Sequence, residues 1–302
     1  MSGPSVGVVI PTRGDRPALL RAALAAVLAQ RHPGRLEVVI VADGCDVGAV
    51  RRQVADLAAD GPRRVRVLAN PGGPHLARAR NAGIAALDTE WTAFCDDDDV
   101  WLPGRLAAQL AALRAEPGAD FASCAIEVEY GGRRIPRLAG TDRIGPEHLV
   151  RSRMVMVHSS TFLFRGYRVD EDAPGGQNED WDLALRAAKR RPIVHVDRPL
   201  VRVRWGLSHY ATHWAGRIAG LEWMLDRHPE LVADRRGAAR VYGQLAFHHA
   251  ALGNRRAAAR WARRALGRRW AEPRAPLALA VAGGLLSPRF VLGLLHARGH
   301  GI

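Results

Sequence analysis

A chain of 302 residues, 48% apolar and 25% charged, is long enough to bury a full core, as one large domain or a main domain with an appendage. Its net charge of +14 rests almost wholly on arginine, with Lys189 the sole lysine; that compositional bias is too general to argue for nucleic acid, and no such partner is expected. No apolar run reaches the roughly 20 residues that span a bilayer, and MSGPSVGVVIPTR lacks the basic and apolar regions of a signal peptide.

The first hundred residues alternate between two textures. VGVVI (6–10), LEVVIVA (36–42), VRVLA (65–69) and WTAFC (91–95) read as buried strands, and the alanine-rich stretches 17–30, 47–59, 74–87 and 101–114 as amphipathic helices. Asp15 followed by Pro17 fits an N-cap and first-turn pair for the first helix. Strand and helix in this order predict right-handed βαβ units and a parallel sheet with helices on its faces. After Pro117, FASCAIEVEY, a GG turn and RRIPRL predict a hairpin; SSTFLFR (159–165) and IVHVD (193–197) predict strands, and 178–190 a helix. From about residue 211 only helix signals remain. That region holds 15 arginines against five acids, so residues 1–210 carry only about +4 of the charge. Cys45, Cys95 and Cys124 stand far apart with no CxxC pair, which points to reduced thiols and a cytoplasmic protein.

Polar residues gather where the predicted strands end. Pro11, Thr12 and Arg13 follow the first, Asp43 and Gly44 the second, and Asp96 to Asp99 the fourth. These are carboxyl ends, the edge at which open α/β sheets bind ligands. Four adjacent carboxylates repel one another, which a divalent cation with a polyphosphate would relieve; Mg²⁺ and Mn²⁺ both suit oxygen ligands. The other reading of the quartet is a solvated loop capping a helix that starts at 101. Asp43 reads either as part of an Asp-Gly turn or as an acceptor for a nucleobase or ribose. NPGGPHLARARNAG (70–83) is a turn running into a helix, on which Arg80 and Asn81 are expected to line the pocket.

In order over residues 5–205, VVIPTR, VADG, NPGGPHLARARNAG, FCDDDDVWLPGRL and NEDWDLALR resemble the family 2 glycosyltransferases. The resemblance implies a GT-A fold, Rossmann-like, with a mostly parallel central sheet flanked by helices in a domain 1–210, followed by an all-α appendage, 211–302. It implies that Asp43 contacts base and ribose, with Pro11, Thr12 and Arg13 beside it, and that Arg80 and Asn81 bind the nucleotide sugar. Asp96 and Asp98 match the outer aspartates of a DxD-type site for Mn²⁺ or Mg²⁺, with Asp98 the direct ligand and Asp97 at the ribose or a metal-bound water. Asp180 matches the catalytic base, with Glu179 the alternative. His209 falls where some relatives offer another metal or phosphate contact, and His75 where some carry a basic residue near the nucleotide. The activity implied is inverting transfer of a sugar from a nucleoside-diphosphate donor to a glycan, lipid-linked or small-molecule acceptor.

The departures narrow this. Without a QxxRW motif or following apolar spans, a processive synthase does not fit, and Ala42 stands where many relatives have a first aspartate. A sugar nucleotidyltransferase would need a Gly-rich loop and a lysine where the chain has PTRGDRP. The rival expectation is a catalytically inactive nucleotide-binding scaffold acting through its helical tail. Residues 255–270 (RRAAARWARRALGRRW) read as a basic amphipathic helix facing an anionic membrane surface or a partner, or as a solvated arginine face. The first of these places the protein peripherally at the inner face of the cell membrane.

Overall fold

The computed structural model describes residues 3–57, 61–152, 154, 156–205 and 213–298. Its first half runs β1 (Val6–Thr12), α1 (Pro17–Leu28), β2 (Leu36–Ala42), α2 (Val47–Val54), β3 (Arg63–Ala69), α3 (Leu76–Ala86) and β4 (Trp91–Phe94). These strands pair in parallel in the order β3-β2-β1-β4. Every residue of β1 and β2 is buried, as expected of apolar runs without alternation whose two faces are both covered. Val6, Val8 and Ile10 enter one apolar cluster and Val9 the other, following the two-residue period of a strand. β3 is the edge strand, and its arginines leave it partly exposed. Helix α3 lies so close to β1 that a Cβ on Gly83 would stand 2.3 Å from Val9 Cγ1, so that position admits only glycine.

The second half completes a ten-stranded sheet: β5 (Val100–Trp101), α4 (Arg105–Ala115), β6 (Phe121–Tyr130), β7 (Arg133–Arg137), β8 (Arg143–Ile144), α5 (Pro146–Arg151), β9 (Leu163–Phe164), α6 (Glu179–Arg190) and β10 (Ile193–Arg204). The long β6 and β10 run parallel, whereas β5, β7, β8 and β9 add on antiparallel. The hairpin predicted at 121–137 is present as β6–β7.

Three predicted elements differ. The helix after the aspartates begins at Arg105 rather than 101, because Pro103 disfavours helical backbone at Leu102 and Gly104 takes φ +82° as N-cap. Most of SSTFLFR is not strand: Ser159–Thr161 form a 3₁₀ turn and only Leu163–Phe164 pair. β10 outruns IVHVD to Arg204, with register shifts against β6 on either side of Pro199, which has no N–H to give the ladder.

The tail consists of α7 (Trp214–Arg227), α8 (Glu230–Ala233), α9 (Arg235–Ala251), α10 (Arg255–Arg268), α11 (Arg274–Ala282) and α12 (Pro288–His296). α9 is its axis, buried along most of its length between α7, α10 and α11 and resting on α5. One apolar cluster runs unbroken from Val9 and Val39 in the sheet through Trp181 and Leu185 of α6 to Leu245 of α9 and Val291 of α12. Asp182 pins the junction, accepting from Arg186 Nε at 2.7 Å and Arg227 Nε at 2.6 Å, with His228 Nε2 at 3.0 Å. The expected boundary at 210 and His209 both lie outside the described residues. Among the described residues, no helix is long and apolar enough to cross a membrane.

Candidate active site

The chain leaves β1 towards β2 on one side and reaches β4 on the other, so the order in which strands are added reverses between the parallel β1 and β4. Such a switch point opens a crevice at the carboxyl ends. The last β1–β4 pair is Val9 with Phe94; beyond it the strands part, and Thr12 Oγ1 donates across the gap to Asp97 Oδ2 at 2.6 Å. Arg16 Nη1 reaches Asp98 Oδ2 at 2.6 Å, and its Nη2 reaches Asp97 Oδ1 at 2.5 Å. Arg16, not Asp15, is the N-cap of α1; a guanidinium has no acceptor for a cap bond, and this one donates into the crevice instead.

The four aspartates do not form a solvated cap. Asp97 and Asp99 are 3% and 1% exposed. Arg80, itself buried, ties the quartet to α6: its guanidinium donates to Asp96 Oδ1 at 2.6 Å, to Ser159 Oγ at 2.9 Å and to Glu179. Burial opposes charge on Asp96, but Arg80, His158 and Ser159 outweigh it and hold the carboxyl below the ordinary range. Burial raises Asp97 to about 6 against the pull of Thr12 and Arg16. Burial, then the charges of Asp98 and Asp96, pushes Asp99 well above the usual carboxylate range.

Asp99 Oδ2 is buried without a hydrogen-bond partner, and the ligand atoms of Asp96, Asp99 and His158 lie within 4.8 Å of one another. Two carboxylates and an imidazole, one oxygen orphaned, form a donor set that fits a divalent cation such as Mn²⁺. This group shares Asp96 with the pair expected from the sequence, whereas Asp98 faces Arg16.

Asp43, 6% exposed, is oriented by two donors on Oδ1: Asn70 Nδ2 at 2.7 Å and the amide of His75 at 2.8 Å. His75 caps α3, and its contribution here is that amide. Asn81 turns away to Val169 and Glu171, fixing the loop before α6. At the start of α6, Asn178 holds φ +66°, the one positive φ of a non-glycine among the described residues. Asparagine tolerates that conformation better than most, and strain of this kind clusters at functional sites. It presents Glu179 and Asp180 together to the crevice. Burial pushes the Glu179 carboxyl up and Asp180 adds to this, while Arg80 pulls it down.

Pro11, Thr12, Arg13, Asp43, Arg80, Asp96, Asp97, Asp98 and Asp180 line one cavity of about 770 Å³. That volume suits a large small-molecule ligand. Reading the sequence missed His158 and Ser159, whose partners among the aspartates lie 59 to 63 residues away, and Arg204, whose Nη1 donates to the Asp98 carbonyl at 3.1 Å. It also missed a whole wall: Arg217, Arg240, His248, Arg274 and His296 of the helical tail line the same cavity.

With 15% identity and a TM-score of 0.58, the chain is similar in fold to S. aureus TarS 1–349, solved in complex with UDP-GlcNAc, covering 98% of this chain and 92% of that one. The mannosyltransferase PcManGT from Pyrobaculum calidifontis, solved with GDP-Man and Mn²⁺, gives 19% identity and a TM-score of 0.53, over 99% and 83%. The GT-A architecture expected from the sequence is thus present. In sequence, 102 residues are 39% identical to the succinoglycan biosynthesis protein ExoW of Rhizobium meliloti, 33% of this chain and 31% of that protein. An uncharacterized glycosyltransferase of Nostoc, alr2836, is 39% identical over 89 residues, 29% of this chain and 26% of its own length. The chain therefore matches about a third or less of these curated relatives. The model of the family "Glycosyl transferase family 2" matches residues 7–171, more than half of the chain, and the chain belongs to that family.

Proposed function

We propose that the protein is a metal-dependent, inverting glycosyltransferase that moves one sugar from a nucleoside-diphosphate donor to an acceptor hydroxyl. The observation that carries this is the convergence of the Asp43 carboxylate, the Asp96–Asp99 quartet and the Glu179–Asp180 pair on one cavity at the sheet's switch point. Asp43, held by Asn70 and His75, accepts from the base or ribose, with Pro11, Thr12 and Arg13 forming the floor. Solved relatives in fold hold UDP-GlcNAc in one case and GDP-Man with Mn²⁺ in another, so both bases are candidates.

Asp96 would hold the cation, joined by Asp98 on the motif resemblance and by Asp99 and His158 on their convergence. When bound, such a cation supplies positive charge for the leaving diphosphate. Asp180 takes the proton of the acceptor hydroxyl as its oxygen bonds to the anomeric carbon and the nucleoside diphosphate departs from the opposite face. Glu179, clamped by Arg80, positions the turn that presents Asp180. The arrangement acts mainly by fixing the groups in line beforehand.

The acceptor is a glycan, a lipid-linked saccharide or a small molecule. A cytoplasmic site at the inner membrane face accords with Trp270, Leu285 and Phe290, which are 87%, 82% and 60% exposed on a basic tail. The test is a panel of α-linked UDP-, GDP- and dTDP-sugars with Mn²⁺, followed by release of nucleoside diphosphate and by proton NMR of the product's anomeric centre. A β-linked product from one donor is expected. Retention of the α configuration would remove the inverting mechanism, and no release with any donor in the presence of an acceptor library would remove the transferase.

A further inference from the structure

The cavity has two unlike walls. One carries the aspartates at the strand ends; the other is made by the helical tail, with Arg217 from α7, Arg240 and His248 from α9, and Arg274 from α11. Arg240 lies over the Trp181 ring at 4.9 Å from its centroid, and Trp181 directly follows Asp180, so the cationic wall begins beside the proposed base. Arg217 stands over Trp214, whose ring packs against His248 at 5.5 Å.

His248 is the telling residue. It is 3% exposed, yet neither ring nitrogen has a hydrogen-bond partner in the protein. A buried imidazole without partners costs stability unless something else supplies them. Burial, then the charge of Arg217 and of His249, holds it well below the ordinary histidine range, so it is neutral with one N–H to donate.

Resting on the transferase reading above, we infer that this wall is the acceptor subsite and that the acceptor carries a phosphoryl group, held by Arg217, Arg240 and Arg274 with the His248 N–H. Several guanidinium groups with an added N–H match the three or more oxygens of a phosphoryl group, whereas one arginine already satisfies both oxygens of a carboxylate. The phosphoryl group belongs either to a prenyl diphosphate-linked saccharide, with four non-bridging oxygens, or to a soluble sugar phosphate, a monoester with three.

The test is tryptophan fluorescence of the full chain in EDTA, which silences the cation site. It is titrated with glucose 1-phosphate, farnesyl phosphate, glucuronate and methyl glucoside. Both phosphates are expected to bind at least about tenfold more tightly than the other two, and Arg217→Gln and His248→Phe to weaken them by about tenfold. Asp43→Asn is expected to leave them unchanged. His248→Phe keeps a flat aromatic ring, one ring atom larger, at the cavity wall and removes the unpartnered nitrogens, so it is expected to fold even if an arginine variant does not. Tighter binding of farnesyl phosphate assigns a lipid-linked source, and tighter binding of glucose 1-phosphate a soluble one; either supports the inference. Glucuronate binding as tightly as the phosphates would overturn it, as would insensitivity to both tail variants or loss in Asp43→Asn. If the phosphates bind through Arg217 while no nucleotide with Mn²⁺ raises the melting point, the anion site stands and the transferase reading falls. A nucleotide shift without phosphate binding sinks the inference alone.

Discussion

The two walls of the cavity differ in charge and in how the chain builds them. The acidic wall comes from short runs at successive strand ends, Thr12 to Arg16, Asp43 and Asp96 to Asp99, each placed by the apolar strand before it. The basic wall comes from single residues on helices that follow the sheet, Arg217, Arg240 and Arg274, each placed by helix packing. Arginine alone does not mark such a wall: Arg256, Arg260, Arg263 and Arg264 of α10 are exposed, while Arg240 of α9 is 7% exposed and seated on Trp181. What separates them is the helix face that meets α6, which only the assembled fold defines.

The largest expected effect lies on the acidic side. Asp180→Asn removes the proposed proton acceptor, and kcat is expected to fall by about 10²–10⁴-fold with nucleotide binding kept. Glu179→Gln is expected to do less; the reverse order in the same kinetic assay would move the base to Glu179.

Next comes the link between the walls. Arg80→Met leaves the buried Asp96 and Glu179 without their counter-charge and is expected to cost about 3–5 kcal/mol by urea unfolding. Asp182 joins α6 to the tail. Burial opposes its charge, but His228, Arg186 and Arg227 lower its carboxyl to about 2 from an ordinary 3.8. A depressed acid stabilises the fold fully above about pH 4, and that contribution is lost as pH falls through about 2. The shift corresponds to about 2.5 kcal/mol, so Asp182→Asn is expected to lower neutral-pH stability by roughly that much and to flatten the acid limb between pH 4 and 2. An unchanged acid limb would show that the tail is held by apolar packing alone.

The smallest effect concerns the tail's outer surface. Trp270→Ser is expected to change stability by no more than about 0.5 kcal/mol, since the ring is 87% exposed, while reducing co-flotation with anionic liposomes. Equal flotation of variant and wild type would remove the membrane contact.

The parallel half of the sheet was legible because its strands are continuous β-branched runs bounded by turn residues, and the aspartate quartet because it interrupts such a run. Where the sequence misled, tertiary structure overrode a local rule. Asp15 has the chemistry of an N-cap, but α1 starts one residue later, with Arg16 at the N-cap position and its guanidinium on Asp97 and Asp98. The strand predicted over 193–197 was too short: β10 absorbs Pro199 as an irregularity and carries Arg204 to the site. His158 has no local signature at all, because its meaning comes from Asp96 and Asp99 across the sheet.

The most direct test of the central claim is the melting point of the full chain with UDP, GDP and dTDP, each with and without Mn²⁺, for wild type, Asp43→Asn and Asp98→Asn. A ligand that binds only the folded state must raise it. The account predicts a Mn²⁺-dependent rise of several degrees for one nucleotide, lost in both variants. A rise that survives both substitutions, or none with any nucleotide, would contradict it.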